Sequence, residues 1–138
     1  PLAAYKEMKV YKLFVLDVGL LGAMSDLDAM SILEGNDIFV EFKGALTEQY
    51  VLQQIISDTK YTPYYYGTEK ATFEQDFLIQ KGKDIVPIEV KAGENIRSQS
   101  LKAYCDKYKP NKAVRFSTLK YMDQGWMENI PLYAVCNL

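Results

Sequence analysis

Apolar positions change their spacing along the chain, and each spacing predicts a different kind of element. From 38 to 57 they recur at helical intervals. The stretches 73–80 and 85–92 are half apolar, with short runs bounded by polar residues, which is typical of two strands. Gly82 and Lys83 separate these strands, and because glycine readily adopts a positive φ, we predict a tight hairpin there.

Turn residues divide the rest of the chain into further elements. An extended segment that turns at Gly19 into a short helix, and a second helix over 25–33, precede the long helix. The other predicted elements are a strand at 61–67, a helix at 97–108, and strands at 113–119 and 131–138. The order helix, three strands, helix, two strands indicates a mixed α/β arrangement of layers. At 138 residues we expect one domain, with 1–35 as an N-terminal extension and 36–138 as its core.

The register of the hairpin predicts two strand faces of different character. A two-residue turn places Asp76 opposite Glu89 and Glu74 opposite Lys91. Since side chains alternate between faces along a strand, one face collects these four charged residues. The other face collects the apolar side chains Phe77, Ile79, Val86, Ile88 and Val90. Two carboxylates directly opposite each other repel, so the charged face needs compensation.

A divalent cation would compensate that repulsion. Asp76, Glu89 and the backbone carbonyl of Val90 supply the oxygen ligands that such an ion takes, with water completing its shell. Lys91 projects from the same face and would neutralise a phosphate or orient an attacking water. Glu48 lies on the long predicted helix, which must pack on the sheet and could deliver a further carboxylate. These residue types point to the hydrolysis of phosphodiester bonds.

Electrostatics alone explain the same pattern without a metal. Lys91 would then pair with Glu74 across the two strands, and the remaining charges would be solvated on an exposed sheet face. Glu48 would be a solvated helix position. Because strands with alternating charges are common, spacing alone leaves both interpretations open.

Composition narrows the chemistry further than spacing does. Histidine is absent, which excludes serine–histidine and cysteine–histidine catalysis and any zinc or copper site ligated by histidine. A metal in this protein must be held mainly by oxygen, which favours magnesium, manganese or calcium. Cys105 and Cys136 are expected to be reduced thiols, because two cysteines do not make a disulfide framework.

Basic residues concentrate in one stretch of a chain whose net charge is −2. Between 97 and 120 the only acidic residue is Asp106. The cations of this stretch are Arg97, Lys102, Lys107, Lys109, Lys112, Arg115 and Lys120. Such a patch would position the phosphates of DNA without the whole domain being basic. A solvated helix and loop surface explains the same charges.

Targeting and nucleotide-binding signals are absent from the sequence. No apolar run approaches the roughly 18 residues of a membrane span and no signal peptide is visible, so we expect a cytoplasmic protein without membrane contact. The phosphate-loop pattern GxxxxGK[ST] is also missing, so nucleotide binding by this stretch is not predicted. The chain begins at Pro1 without a methionine, and we expect it to be part of a longer protein.

Several linked motifs resemble known families. Asp76, followed by "EVK" at 89–91 in "PIEVKAG", resembles the PD-(D/E)XK nuclease superfamily, whose restriction-endonuclease-like αβββαβ fold matches the predicted order. A more specific likeness is to the uncharacterised domain found C-terminal to AAA-type ATPases in bacteria and archaea. The stretches that carry it cover nearly the whole chain: "YKLFVLDVGLL", "FKGALTEQYVLQQI", "YYYGTEKATFEQDFLI", "PIEVKAGENIRSQSLKAYCDKYKP" and "AVRFSTL".

The superfamily resemblance implies roles for individual residues. The implied metal ligands are Asp76 and Glu89, with Lys91 catalytic and Glu48 as the acidic position on the helix. Glu74 corresponds to the first acidic residue of the E-x-D pair usual in the more specific family. Gln75 stands where the superfamily motif has proline, which is a loosely kept position.

The resemblance implies a magnesium- or manganese-dependent DNA nuclease domain joined to an upstream ATPase. The alternative is a non-catalytic module that binds DNA or protein and gives such an ATPase its target. Intact motif residues do not decide between the two, since fold and activity are separable. Metal binding at the carboxylates, and hydrolysis that depends on them, would distinguish the nuclease from the module.

Overall fold

The computed structural model describes residues 1–28, 30, 37–67, 73–93 and 97–138. Within these ranges the chain forms a mixed six-stranded sheet flanked by helices, which confirms the predicted α/β class. Residues 29 and 31–33 of the helix predicted over 25–33 lie outside the described residues, and residues 25–28 are not helical.

The sheet has an antiparallel half and a parallel half. Strands β1 (Tyr64–Tyr66), β2 (Gln75–Lys81) and β3 (Asp84–Val90) form the antiparallel half. The parallel half continues from β3 through β4 (Val114–Ser117) to β6 (Glu128–Pro131), and the short β5 (Met122–Asp123) pairs antiparallel with β6. The spatial order is β1-β2-β3-β4-β6-β5. Strand β3, which ends at the predicted motif, is therefore where the two halves meet.

The predicted apolar face of the hairpin lies at the centre of the core. Helices α1 (Val18–Met24), α2 (Asp37–Asp58) and α3 (Gln99–Tyr108) accompany the sheet. The main buried cluster comprises Val51 and Ile55 of α2 with Phe77, Ile79, Val86, Ile88, Val114, Phe116, Ile130 and Val135. Burial of each such side chain contributes roughly 1.5–3 kcal/mol. This contribution favours the observed register of the hairpin, in which these apolar side chains pack against α2.

The hairpin closes through the predicted two-residue turn. Lys81 faces Asp84 across it, and Gly82 has a φ of 62°, in the left-handed region that favours glycine. The predicted register is thus confirmed from Lys81–Asp84 to Phe77–Ile88, whereas the predicted pairs Asp76–Glu89 and Glu74–Lys91 lie beyond the last paired residues.

The strand predicted at 131–138 is wrong. Strand β6 ends at Pro131, and the chain continues as a 3₁₀ helix over Leu132–Asn137 with Val135 buried. Strands β5 and β6 begin between the strands predicted at 113–119 and 131–138, where the sequence predicted no element. A short apolar run does not distinguish strand from helix by its spacing, and proline has no amide hydrogen to extend a ladder.

None of the helices in the described part of the chain combines the length and apolar character needed to cross a bilayer. Cys105 and Cys136 are both free thiols, as expected.

Candidate functional site

The pairing of β2 with β3 ends before Asp76 and Glu89 are reached. The paired residues run from Lys81–Asp84 to Phe77–Ile88 and stop there. Instead of a backbone pair, Oδ2 of Asp76 accepts a hydrogen bond of 2.7 Å from the amide of Val90. The side chain of Asp76 is thereby attached to the end of the strand that carries Glu89. We call Glu48, Asp76, Glu89 and Lys91 the acidic fork.

Helix α2 brings a second carboxylate to Asp76. Glu48 lies within hydrogen-bonding reach of Asp76, and its Oε2 is 2.5 Å from Nζ of Lys12. Burial raises the pKa of Asp76 to about 7, while the Val90 amide lowers it, the charge of Glu48 raises it and that of Lys12 lowers it. Burial thus outweighs the Val90 amide and the charge of Lys12, and carboxyl groups with a pKa near neutrality are often found at functional sites.

Glu89 is buried at the end of β3, with 8% of its side chain exposed. Its Oε1 lies 3.2 Å from Nζ of Lys91, whereas its Oε2 is buried with no hydrogen-bond partner among the residues that the structure describes. Leaving a buried carboxylate oxygen unsatisfied costs free energy that a ligand would recover. Lys91 therefore pairs with Glu89 on its own strand rather than with Glu74 across the hairpin.

Glu74 lies beside the fork rather than in it. It precedes β2, is exposed, and forms a hydrogen bond with Tyr65. Burial raises the pKa of the Tyr65 hydroxyl, and Glu74, Asp76 and Glu48 raise it further. Nζ of Lys12 lies 5.6 Å from the centre of the same tyrosine ring. Tyr65 and Lys12 border the site, although neither was identified from the sequence.

The signal that could have identified Lys12 is a pair of glutamines on α2. Gln49 and Gln53 are one helical turn apart, and both bind backbone groups of the N-terminal extension. Amides at this spacing in an otherwise apolar helix face indicate that a segment without its own partner strand lies along the helix. That segment carries Lys12.

The donor set of the fork fits a hard divalent cation, because its side-chain donors are carboxylate oxygens and one of them is a buried acceptor. Within the described ranges, no three acidic or cysteine side chains converge into a ready-made metal cluster. A cation at the fork would be held by Asp76 and Glu89 with the carbonyl of Val90, and water or phosphate oxygens would complete its shell. Glu48, paired with Lys12, borders this set.

Three of the predicted DNA-binding residues lie together in a cleft of about 640 Å³. Arg97 and Lys102 are exposed on its rim, whereas Arg115 is only 3% exposed. The start of α3 and Trp126 also line it, and Nζ of Lys102 is 5.1 Å from the centre of the indole ring. We call Arg97, Lys102, Arg115 and Trp126 the basic cleft. Because Arg115 is the register partner of Glu89, the cleft begins one strand away from the fork.

Arg115 is fixed by a polar network on the sheet. Its Nε donates to Oδ1 of Asn129 at 2.8 Å and its Nη1 to Oγ of Ser98 at 3.3 Å. Ser117 donates to the same oxygen of Asn129 at 2.7 Å. Burial lowers the pKa of Arg115, and the charge of Glu89 raises it. The guanidinium group is therefore part of the sheet's structure as well as of the cleft.

The remaining predicted DNA-binding lysines do not line the cleft. Lys107 lies over two aromatic rings at 5.8 and 4.9 Å from their centres. Lys109 ends α3 in a left-handed conformation with a φ of 48°. Nζ of Lys112 is 2.5 Å from a carboxylate oxygen of Glu128, so its charge is compensated. The cleft, rather than the whole basic stretch, is the candidate surface for phosphates.

Comparison with protein families matches residues 43–134 to a family described as "Domain of unknown function (DUF4143)". The matched stretch contains the acidic fork and the basic cleft, and it begins after Lys12. No curated protein and no solved structure matches the chain.

Proposed function

Since the chain belongs to the DUF4143 family, whose description assigns no activity, we propose a function from the site itself. The function is divalent-metal-dependent hydrolysis of phosphodiester bonds in DNA, by a domain of PD-(D/E)XK nuclease type attached to an AAA-type ATPase. The observation that carries it is the buried oxygen Oε2 of Glu89, which lacks a hydrogen-bond partner in the described part of the chain, while the other oxygen of the same carboxylate lies 3.2 Å from Nζ of Lys91.

Three residues of the fork, Asp76, Glu89 and Lys91, act directly in this proposal. Magnesium or manganese, when bound, supplies a water of lowered pKa and positive charge for the negative charge that develops on phosphorus. Asp76 and Glu89 hold that ion from two neighbouring strands, with the carbonyl of Val90 as a third oxygen. Lys91, 3.2 Å from Glu89, donates to the attacking water or to the phosphate.

The basic cleft positions the DNA in this proposal. Arg97 and Lys102 are exposed cations that attract the phosphate backbone without reading its sequence. Because the cleft begins one strand from Glu89, a phosphate held there leaves a neighbouring phosphate of the same strand within reach of the fork.

The test is cleavage of plasmid and single-stranded DNA in the presence of manganese. We expect wild-type cleavage to fall by about a hundredfold or more in Asp76→Ala and Lys91→Ala, since each removes a ligand or a charge that acts on the transition state. Lys83→Ala, an exposed lysine of the hairpin turn, is the matched control and should cleave as wild type does. Cleavage that is absent from the wild type, or unchanged in both variants, contradicts the proposal.

A second function is favoured by the ion pair between Lys12 and Glu48. Because this lysine places a positive charge at the fork without a metal, the domain could serve as a non-catalytic module that binds DNA or protein for its ATPase. Calorimetry with magnesium and manganese separates the two functions. A module binds no ion, or binds one without hydrolysis, whereas tight binding that is lost in Glu89→Ala counts against the module.

A further inference from the structure

An irregular segment of the N-terminal extension, residues 10–17, lies along helix α2. Gln49, which is 2% exposed, binds Val15 twice: its Nε2 donates to the Val15 carbonyl at 2.9 Å and its Oε1 accepts from the Val15 amide at 3.1 Å. One turn later, Oε1 of Gln53 accepts from the amide of Val18 at 2.9 Å. These are the bonds that a neighbouring strand would make, so they fix the position of the segment on α2.

The same segment places Lys12 against the acidic fork. Nζ of Lys12 is 2.5 Å from Oε2 of Glu48 and 5.6 Å from the ring centres of Phe14 and Tyr65. Phe14 in turn contacts the core residue Phe77, with 5.9 Å between ring centres. A carboxylate and two aromatic rings therefore attract the ammonium group to one position.

Lys12 compensates negative charge that the fork cannot avoid. Glu48 lies within hydrogen-bonding reach of Asp76, and two such carboxylates repel when both are ionised. The positive charge of Lys12 partly neutralises these two carboxylates, as a divalent cation would. Two cations at one carboxylate pair repel each other, so the lysine and the metal ion are competitors.

We propose that Lys12 is an internal cation that occupies the Glu48 side of the acidic fork in the metal-free protein and competes with a divalent cation there. This inference rests on the proposed function, because it takes the fork as a metal site. Metal binding displaces Lys12 from Glu48 and makes that carboxylate available to the ion or its waters. The N-terminal segment thereby sets the metal affinity of the domain, although it lies outside the family match.

The test is calorimetric titration of the whole 138-residue chain with manganese chloride, without DNA. Lys12→Gln keeps a hydrogen-bond donor and removes the charge, and Lys12→Met keeps the length of the side chain. We expect both variants to bind manganese about tenfold more tightly than wild type, which corresponds to the loss of one competing ion pair. Lys9→Gln removes an exposed lysine of the same extension and should change the Kd less than about twofold, because solvent and salt screen its charge.

A double-mutant cycle shows whether the effect runs through Glu48. In a Glu48→Gln background, Lys12→Gln should change the manganese Kd less than about twofold, since the competing ion pair is already gone. Circular dichroism and urea unfolding of each variant establish that the proteins compared are folded. A tenfold effect that persists in the Glu48→Gln background contradicts competition for this carboxylate.

The outcomes separate this inference from the proposed function. Equal or weaker binding by both Lys12 variants, with wild-type binding intact, overturns the competition and leaves the proposed function standing. Binding by the Lys12 variants alone supports the competition in its strongest form. If neither wild type nor variants bind manganese, the competition and the metal-dependent function are both overturned.

Discussion

The acidic fork and the basic cleft lie one strand apart on the same sheet, yet they handle buried charge in opposite ways. In the cleft, the guanidinium group of Arg115 donates to Asn129 and Ser98, and Asn129 also accepts from Ser117. In the fork, burial raises the pKa of Asp76 to about 7. Glu89 there has a buried oxygen with no partner in the part of the chain that the structure describes. Neighbouring amide and hydroxyl groups hold the buried guanidinium of the cleft at two of its nitrogens, whereas burial outweighs the single amide bond of Asp76, and Glu89 pairs through one oxygen alone.

This difference separates a scaffold from a binding site. A satisfied buried charge holds its neighbours in place, so its removal destabilises the fold. Under-compensated carboxylates oppose folding, and proteins keep them where another group supplies the missing interaction. Removing the charge of Asp76 in the fork should therefore make the protein more stable, whereas removing the charge of Arg115 at the floor of the cleft should make it less stable. Stability measurements on variants of the fork and the cleft test this opposition, and DNA-binding measurements test which residues of the basic stretch contact phosphates.

The largest expected effect is at the floor of the cleft. Arg115→Met should lower the free energy of unfolding by about 3–5 kcal/mol. It removes the hydrogen-bond donor to Asn129, and it removes the positive charge that β4 places opposite Glu89. Arg97→Met, on the exposed rim, should change stability by less than about 0.5 kcal/mol. Urea unfolding of both variants measures the difference. Equal stability of the two would show that Arg115 is not part of the scaffold.

The next effect has the opposite sign. Asp76→Asn should raise the free energy of unfolding at neutral pH by about 2 kcal/mol in the absence of divalent metal. Asparagine keeps an acceptor for the Val90 amide and removes a charge that burial disfavours. Glu74→Gln, two residues earlier and exposed, is the control and should be close to neutral. Urea unfolding in a chelating buffer is the measurement, and destabilisation by Asp76→Asn would remove the contrast between fork and cleft.

The pH dependence of the stability gained in Asp76→Asn follows from the direction in which folding shifts the pKa of Asp76. The pKa of Asp76 rises from an ordinary value of 3.8 to about 7 in the folded protein, so folding favours the protonated form. Its stabilising contribution is complete below about pH 4 and is lost as the pH rises through about 7. Wild type and Asp76→Asn should therefore be similar in stability near pH 4 and diverge toward pH 7. A difference that is constant across this range would mean that the carboxyl does not titrate there.

The sequence pattern of the hairpin predicted the strands that carry the fork, but it did not predict the contacts that its side chains make. The distribution of apolar and polar residues set the register of the hairpin, and Gly82 set its turn, because both are properties of adjacent residues. The hydrogen bond from the Val90 amide to the side chain of Asp76 takes the place of a strand pair and was not predicted. The approach of α2 was expected only because a helix must cover the sheet, and that brought Glu48 into consideration.

Contacts between distant parts of the chain account for what sequence reasoning missed. Lys12 and Glu48 are 36 residues apart, and their ion pair depends on where Gln49 holds the backbone of Val15. No local pattern specifies such a contact. The error at the C-terminus has another cause, since the apolar run after Pro131 is compatible with both a strand and a 3₁₀ helix.

The smallest effect concerns the rim of the cleft, where charge is exposed and contributes to binding rather than to stability. Lys102→Ala should weaken binding of a labelled oligonucleotide about three- to tenfold and reduce the slope of log affinity against log salt by about one, as expected for a phosphate contact. Lys112→Ala removes a lysine that lies 2.5 Å from Glu128, a closer ion pair than the 3.5 Å between Lys102 and the exposed Asp106, and should change both quantities less. Fluorescence anisotropy in a chelating buffer measures binding without cleavage, and quenching of Trp126, the single tryptophan, reports whether the DNA lies in the cleft. Equal losses from the two variants would mean that phosphates meet the whole basic stretch, and the cleft would no longer be a region distinct from its surroundings.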